Sequence, residues 1–166
     1  ATAADRLAAE EPLAAAARMT TPAPLVLAGS GPDRARLERL ATELGLGTRV
    51  RFLGFVSDAE LVELYAGARA VYYAPIDEDY GFATVEAFGA ARPVVTTDDA
   101  GGVLEFVTHG LNGLIGPPEP AAIAQALDCL AADAALAARL GQAGRPLVAG
   151  ITWERVVGAL VGQAMG

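Results

Sequence analysis

At 166 residues with 53% hydrophobic side chains, the chain is long enough to bury the core of one domain, residues 1–166, without disulfide or metal staples. Its twelve basic residues are all arginines scattered along helical stretches, and against twenty acidic residues they leave a net charge of −8, the wrong sign for a protein that follows a nucleic-acid backbone. No apolar run approaches the ~18 residues that cross a bilayer, and the start lacks the basic and apolar regions of a signal peptide, so no transmembrane segment and a cytoplasmic location are expected.

In chain order, an alanine-rich helical pattern from Leu13 to Met19 appears with no strand ahead of it, and the chain opens on Ala1, which reads as an excised fragment or a processed start. Pro24 to Ala28 is expected to be a buried strand, closed by Gly29-Ser30-Gly31-Pro32, with Asp33 as N-cap of a helix whose inner face carries Leu37, Leu40, Ala41 and Leu44. The Gly29-x-Gly31 turn lacks the third glycine of a dinucleotide fingerprint and better suits a tight strand-to-helix turn. Val50 to Leu53 is the next strand; beyond Gly54-Phe55-Val56, the sequence Ser57-Asp58-Ala59-Glu60 forms a capping box opening a helix with Leu61, Leu64 and Tyr65 inward. Alternating strands and helices predict an α/β fold, a Rossmann-like parallel sheet with helices on both faces and ligands beyond the carboxyl ends of the strands.

The most informative stretch is Ala74 to Glu86. The short apolar run Ala70 to Ala74 suits a strand buried on both faces, and Pro75 ends it. Phe82, Val85, Glu86, Phe88 and Gly89 then carry helical spacing, so the Gly81-Phe82 step opens a helix whose first N–H groups lack partners and attract anions. Gly81 permits close approach of a ligand to the backbone. Glu78 and Glu86 bracket the turn, and a carboxylate accepts well from vicinal hydroxyls, so carboxylates beside a phosphate cradle suggest a sugar nucleotide. The competing reading is a solvated acidic loop over Asp77, Glu78 and Asp79, with Glu86 on an exposed helix face.

The text from Pro75 to Ala87 resembles the Glu-x7-Glu signature of retaining group 1 glycosyltransferases with the GT-B fold, and the likeness extends over nearly the whole chain. The resemblance implies one half of a GT-B architecture, its C-terminal donor-binding domain. Glu78 would contact the donor sugar near the reacting carbon, the backbone of Gly81, Phe82 and Ala83 would hold the diphosphate, and Glu86 the ribose hydroxyls. Gly29 and Gly31 would face the donor cleft, Phe55 and Val56 would lie against the base, and Gly101 and Gly102, in a loop entering another helix, would admit the sugar. Arg6 matches an arginine that neutralises the diphosphate, whereas Glu11 stands where the family has lysine; Arg92 or an arginine of the other half would then substitute. Ala91 stands where a glycine usually ends the helix, so it either costs stability or marks a different ending.

The donor implied is a UDP-, GDP- or ADP-sugar, with no other cofactor and no metal. The family's opening strand and its N-terminal acceptor domain are missing from these residues, so the chain by itself is expected to bind donor without turnover, and apolar surface normally facing the other half favours self-association. Two alternatives remain: a catalytically degenerate nucleotide- or partner-binding module of the same fold, and a phosphoacceptor domain suggested by Asp98-Asp99, against which the absence of lysine counts.

Elsewhere, Cys129 in its apolar helical stretch reads as a buried inert thiol, and His109 beside a glycine turn as structural or exposed. Leu114-Ile115 is a strand. Helices around Ala121 to Ala131 and Ala134 to Leu140 are scaffold, with Ile123, Leu127, Leu130, Leu136 and Leu140 inward; Thr152-Trp153-Glu154 caps a last helix that in the family packs across the domain boundary.

Overall fold

The computed structural model describes residues 10–76 and 79–151, so Arg6, Asp77, Glu78 and the helix expected after Thr152 lie outside the described residues. Helix α1 (Glu10–Ala16) precedes strand β1 (Leu25–Ala28), α2 (Arg34–Glu43) leads to β2 (Val50–Gly54), and α3 (Asp58–Gly67) to β3 (Val71–Tyr72). Then come α4 (Phe82–Gly89), β4 (Val94–Thr97), β5 (Gly113–Gly116), α5 (Pro120–Ala132) and α6 (Ala134–Val148). Each strand pairing is parallel, with Leu25 opposite Val50, Val71 opposite Val94, and Val94 opposite Gly113.

The alternation read from the sequence is present, with one difference. The strands form two sheets, β1–β2 and β3–β4–β5, because no described strand bridges β1 and β3. Between them runs a groove of about 1000 Å³, lined by Val26 and Leu27 of β1, Val71 and Tyr72 of β3, and Leu61 and Leu64 of α3.

Helices cover both faces of the larger sheet. Along β4, entirely buried from Val94 to Thr97, Val94 packs toward Phe88 of α4 while Val95 packs toward Leu130 of α5 and Leu140 of α6. β1 is less buried than expected. Leu25 and Leu27 join the core of α1 and α2 (Leu13, Leu37, Ala41), but Val26, on the groove side, remains 37% exposed.

Helix ends follow local chemistry unevenly. At α3 the capping box forms as its spacing predicts: Glu60 N–H donates to Ser57 Oγ at 3.4 Å, and Ser57 N–H donates to Glu60 Oε2 at 2.8 Å. Asp33 holds the N-cap position of α2 without capping, because its helical backbone (φ −82°, ψ −4°) turns the carboxylate away; Oδ1 accepts from Arg36 Nε at 3.3 Å. Cys129 is exposed rather than buried, since the inward stripe of α5 runs through Ile123, Leu127 and Leu130, and Cys129 falls one position off it. Helix α6 continues well past the expected end at Leu140, through Gly141, Gly144 and Pro146.

Candidate functional site

The site is built on the start of α4. Gly81 is its N-cap residue in the left-handed region (φ 75°, ψ 59°), and a Cβ there would lie 2.7 Å from Val103 Cγ2, so both conformation and space require glycine. Having no side chain, Gly81 cannot cap, and the leading N–H groups of Phe82 and Ala83 point out of the helix along its positive end. Thr84 N–H turns back to the Gly81 carbonyl at 2.9 Å. The Thr84 hydroxyl is buried against this turn and has no hydrogen-bond partner among the described residues. Phe82 is 72% exposed and meets Tyr80 in a tilted contact at 5.0 Å between centroids, and Tyr80 in turn meets Phe106 edge-on at 5.2 Å.

One turn along α4, the exposed Glu86 is held by a residue that sequence reasoning placed on the inner face of α3 and gave no part in the site. Tyr65 Oη donates to Glu86 Oε2 at 2.9 Å. Burial, and then the Glu86 carboxylate, push the Tyr65 phenol well above its ordinary range, so it stays a protonated donor. No spacing rule joins positions 65 and 86; the one sequence signal was a phenol on an otherwise aliphatic face.

At the carboxyl end of β1, Gly29 (φ 127°) donates its N–H to the carbonyl of Gly54 (φ 74°) at 2.8 Å, locking the Gly29–Gly31 turn to the end of β2. Phe55 just beyond is 85% exposed, and Val56 is half-buried. Topology brings the pieces together. From β1 the chain crosses by α2 to β2 on one side, and from β3 it crosses by α4 to β4 on the other, so the direction of winding reverses between β1 and β3. A crevice at such a reversal is where open α/β sheets bind ligands. Leu27 and Ala28 of β1, Tyr65 of α3 and Ala83 of α4 all line that groove, with Gly29 next along the chain and Gly81, Phe82 and Glu86 on the same helix end.

Other expected positions fall differently. Gly101 (φ 65°, ψ −132°) leads into a single 3₁₀ turn, Gly102–Glu105, where an α-helix start was expected, so this loop offers no helix dipole; neither glycine lines the groove, nor do Phe55 and Val56. Arg92 lines the groove, but its guanidinium is already engaged away from Gly81. It follows the opposite end of α4, an eight-residue helix spanning roughly 12 Å, and its guanidinium donates to the Ala66 carbonyl. Glu11 Oε2 accepts from Tyr72 Oη at 3.0 Å, which ties α1 to β3. His109 is exposed, and its Nδ1 accepts from Ile115 N–H at 3.0 Å, a turn-bracing role. Among the described residues, no three His, Cys, Asp or Glu side chains are grouped to hold a metal, and no single helix is long and apolar enough to cross a membrane.

The sequence pattern of the glycosyl transferases of group 1 matches residues 6–146. The chain belongs to that family. It is 39% identical over 112 residues to the uncharacterised glycosyltransferase MJ1607 of Methanocaldococcus jannaschii, an alignment covering 67% of this chain and 28% of that protein. Among solved structures, sucrose-phosphate synthase of Thermosynechococcus elongatus superposes with a TM-score of 0.84 at 32% identity over 95% of this chain and 42% of that one. HepE of Anabaena, solved in complex with UDP and glucose, superposes with a TM-score of 0.81 at 25% identity over 93% of this chain and 43% of that one. This group 1 glycosyltransferase chain has the α/β fold of one half of the GT-B architecture. It spans under a third of that curated relative and less than half of these solved chains.

Proposed function

We propose that the chain is the donor-binding half of a retaining glycosyltransferase that moves a hexosyl group from a nucleoside diphosphate sugar to an acceptor. One observation carries this reading: the uncapped start of α4 at Gly81 and a carboxylate one turn on, Glu86, share a helix end whose Ala83 lines the crevice where the sheet winding reverses. The helix start takes the diphosphate on the N–H groups of Phe82 and Ala83, and Gly81 lets it come close. Glu86 accepts from the ribose hydroxyls. Where the ligand extends beyond the groove, the Phe55-Val56 backbone meets the base, Glu78 touches the sugar beside the reacting carbon, and Gly29, Gly31, Gly101 and Gly102 leave room around it. Arg6 shares the developing charge of the leaving diphosphate with the helix start, so no metal is required.

HepE, the neighbour solved with UDP and glucose, supports a nucleotide sugar as ligand. The acceptor site belongs to a further domain of the full-length protein.

Calorimetric titration with UDP, GDP and ADP tests the reading. One of the three should bind, and Glu86→Ala should weaken it about tenfold or more, as expected for losing charge-assisted hydrogen bonds worth about 1.5–3 kcal/mol. Binding of none would overturn the donor-site reading, and binding that survives Glu86→Ala would remove Glu86 from it.

A further inference from the structure

We infer that Tyr65 is a positioning residue of the donor site, which fixes the Glu86 carboxylate so that one oxygen is presented to the ribose diol. The inference rests on the donor-site reading and adds to it a residue on a different helix. A glutamate on an exposed helix face samples several rotamers, and ordering it on binding weakens affinity. Here the ordering is done beforehand. Tyr65 Oη donates to Oε2 at 2.9 Å, so Oε1 keeps its acceptor capacity for a ligand.

The donor is itself well anchored. The Tyr65 ring packs against the cluster of Ala87, Phe88, Val94 and Val103, leaving its hydroxyl at the edge of that core, and Tyr65 also lines the groove. The next residue along α3 is tied down as well, since the Arg92 guanidinium, from the chain just beyond α4, donates to the Ala66 carbonyl. Helix α3 is thus tied at two points, to α4 through the carboxylate proposed to read the ribose and to the chain just beyond α4 through Arg92. Because the Tyr65 phenol stays protonated across the neutral range, it remains a donor to Glu86 there.

Tyr65→Phe removes the hydroxyl and keeps the ring. The experiment titrates wild type, Tyr65→Phe, Glu86→Ala and the double variant with UDP, GDP and ADP, each beside its 2′,3′-dideoxy analogue. For the nucleotide that binds, Tyr65→Phe should lower affinity about five- to tenfold, while the dideoxy analogue binds both proteins equally; in the Glu86→Ala background the second change should have no further effect. Equal losses for nucleotide and analogue would mean a merely structural hydroxyl, and no loss for either an idle one; both results overturn the inference and leave the donor site standing. Wild type that binds none of the nucleotides overturns the donor-site reading and this inference together.

Discussion

Ala91 holds a conformation that alanine rarely adopts. With φ 55° it sits in the left-handed region, where its N–H donates to the Phe88 carbonyl at 2.9 Å and the N–H of Arg92 donates to the Ala87 carbonyl at 2.8 Å, the paired bonds of a Schellman ending. The glycine-like cap is therefore kept without the glycine. The left-handed region costs an alanine roughly 1–2 kcal/mol, while a glycine adds about 0.4–1 kcal/mol of unfolded-state entropy, so Ala91→Gly should stabilise the chain by about 0.5–1 kcal/mol. Thermal denaturation should show a midpoint about 2–3 °C higher; a fall would mean that contacts of the Ala91 methyl outweigh the strain. Legibility at this scale depends on how far a partner lies along the chain. The places of Gly81 and Glu86 at the start of α4 were readable because a strand end, a glycine and a helical period are local signals. Tyr65 was not, because its hydroxyl meets a carboxylate 21 positions away across two helices.

Elements were legible where their periodicity was uninterrupted. Helix α6 runs beyond the pattern read from Ala134 to Leu140, through Gly141, Gly144 and Pro146, and two of these are packing residues: a Cβ at Gly141 would strike the Ala91 carbonyl, and one at Gly144 the buried Phe88 ring. Tertiary approach to α4 overrides local propensity there. Helix α5 is fastened by a device equally hidden from pattern. Asp128 accepts from the N–H and hydroxyl of Thr20 (2.7 and 2.9 Å) and of Thr21 (2.9 and 2.6 Å), clasping the segment that leads into β1. Burial pushes this carboxyl up, but the hydrogen bonds from Thr21 and Thr20 outweigh it and bring the pKa down to about 2. A depressed carboxyl contributes stability above its unfolded pKa of about 3.9 and loses it as pH falls through the folded value. Asp128→Asn should therefore cost about 1–2 kcal/mol at neutral pH, the geometry being partly solvated, and should flatten the loss of stability between about pH 4 and pH 2. Urea unfolding at stepped pH measures both; an unchanged acid limb would remove Asp128 from the pH dependence.

For the molecule as a whole, alternation of strands and helices was enough to name the class, whereas the grouping of the described strands into β1–β2 and β3–β4–β5 was not readable. β1 and β3 carry strand-like text whether or not a neighbour sits between them, and only the tertiary arrangement shows β1–β2 and β3–β4–β5 facing each other across the groove. That arrangement makes a prediction no single residue makes. A nucleoside diphosphate bound as proposed would touch both sheets, through the turn after β1 and through the start of α4. Hydrogen exchange of the chain with the nucleotide at about 100 times its Kd should show a uniform slowing equivalent to about 2.7 kcal/mol at amides that open only with global unfolding, with Leu130 and Leu140 as the reference. Beyond that common shift, the amides of Ser30 and Gly31 on one bank and of Phe82 and Ala83 on the other should gain local protection together, and Glu86→Ala at the same nucleotide concentration should lose both. Protection confined to Phe82 and Ala83 would place the diphosphate on α4 alone and leave β1–β2 as scaffold, while protection on both banks would make the two-sheet crevice the binding unit.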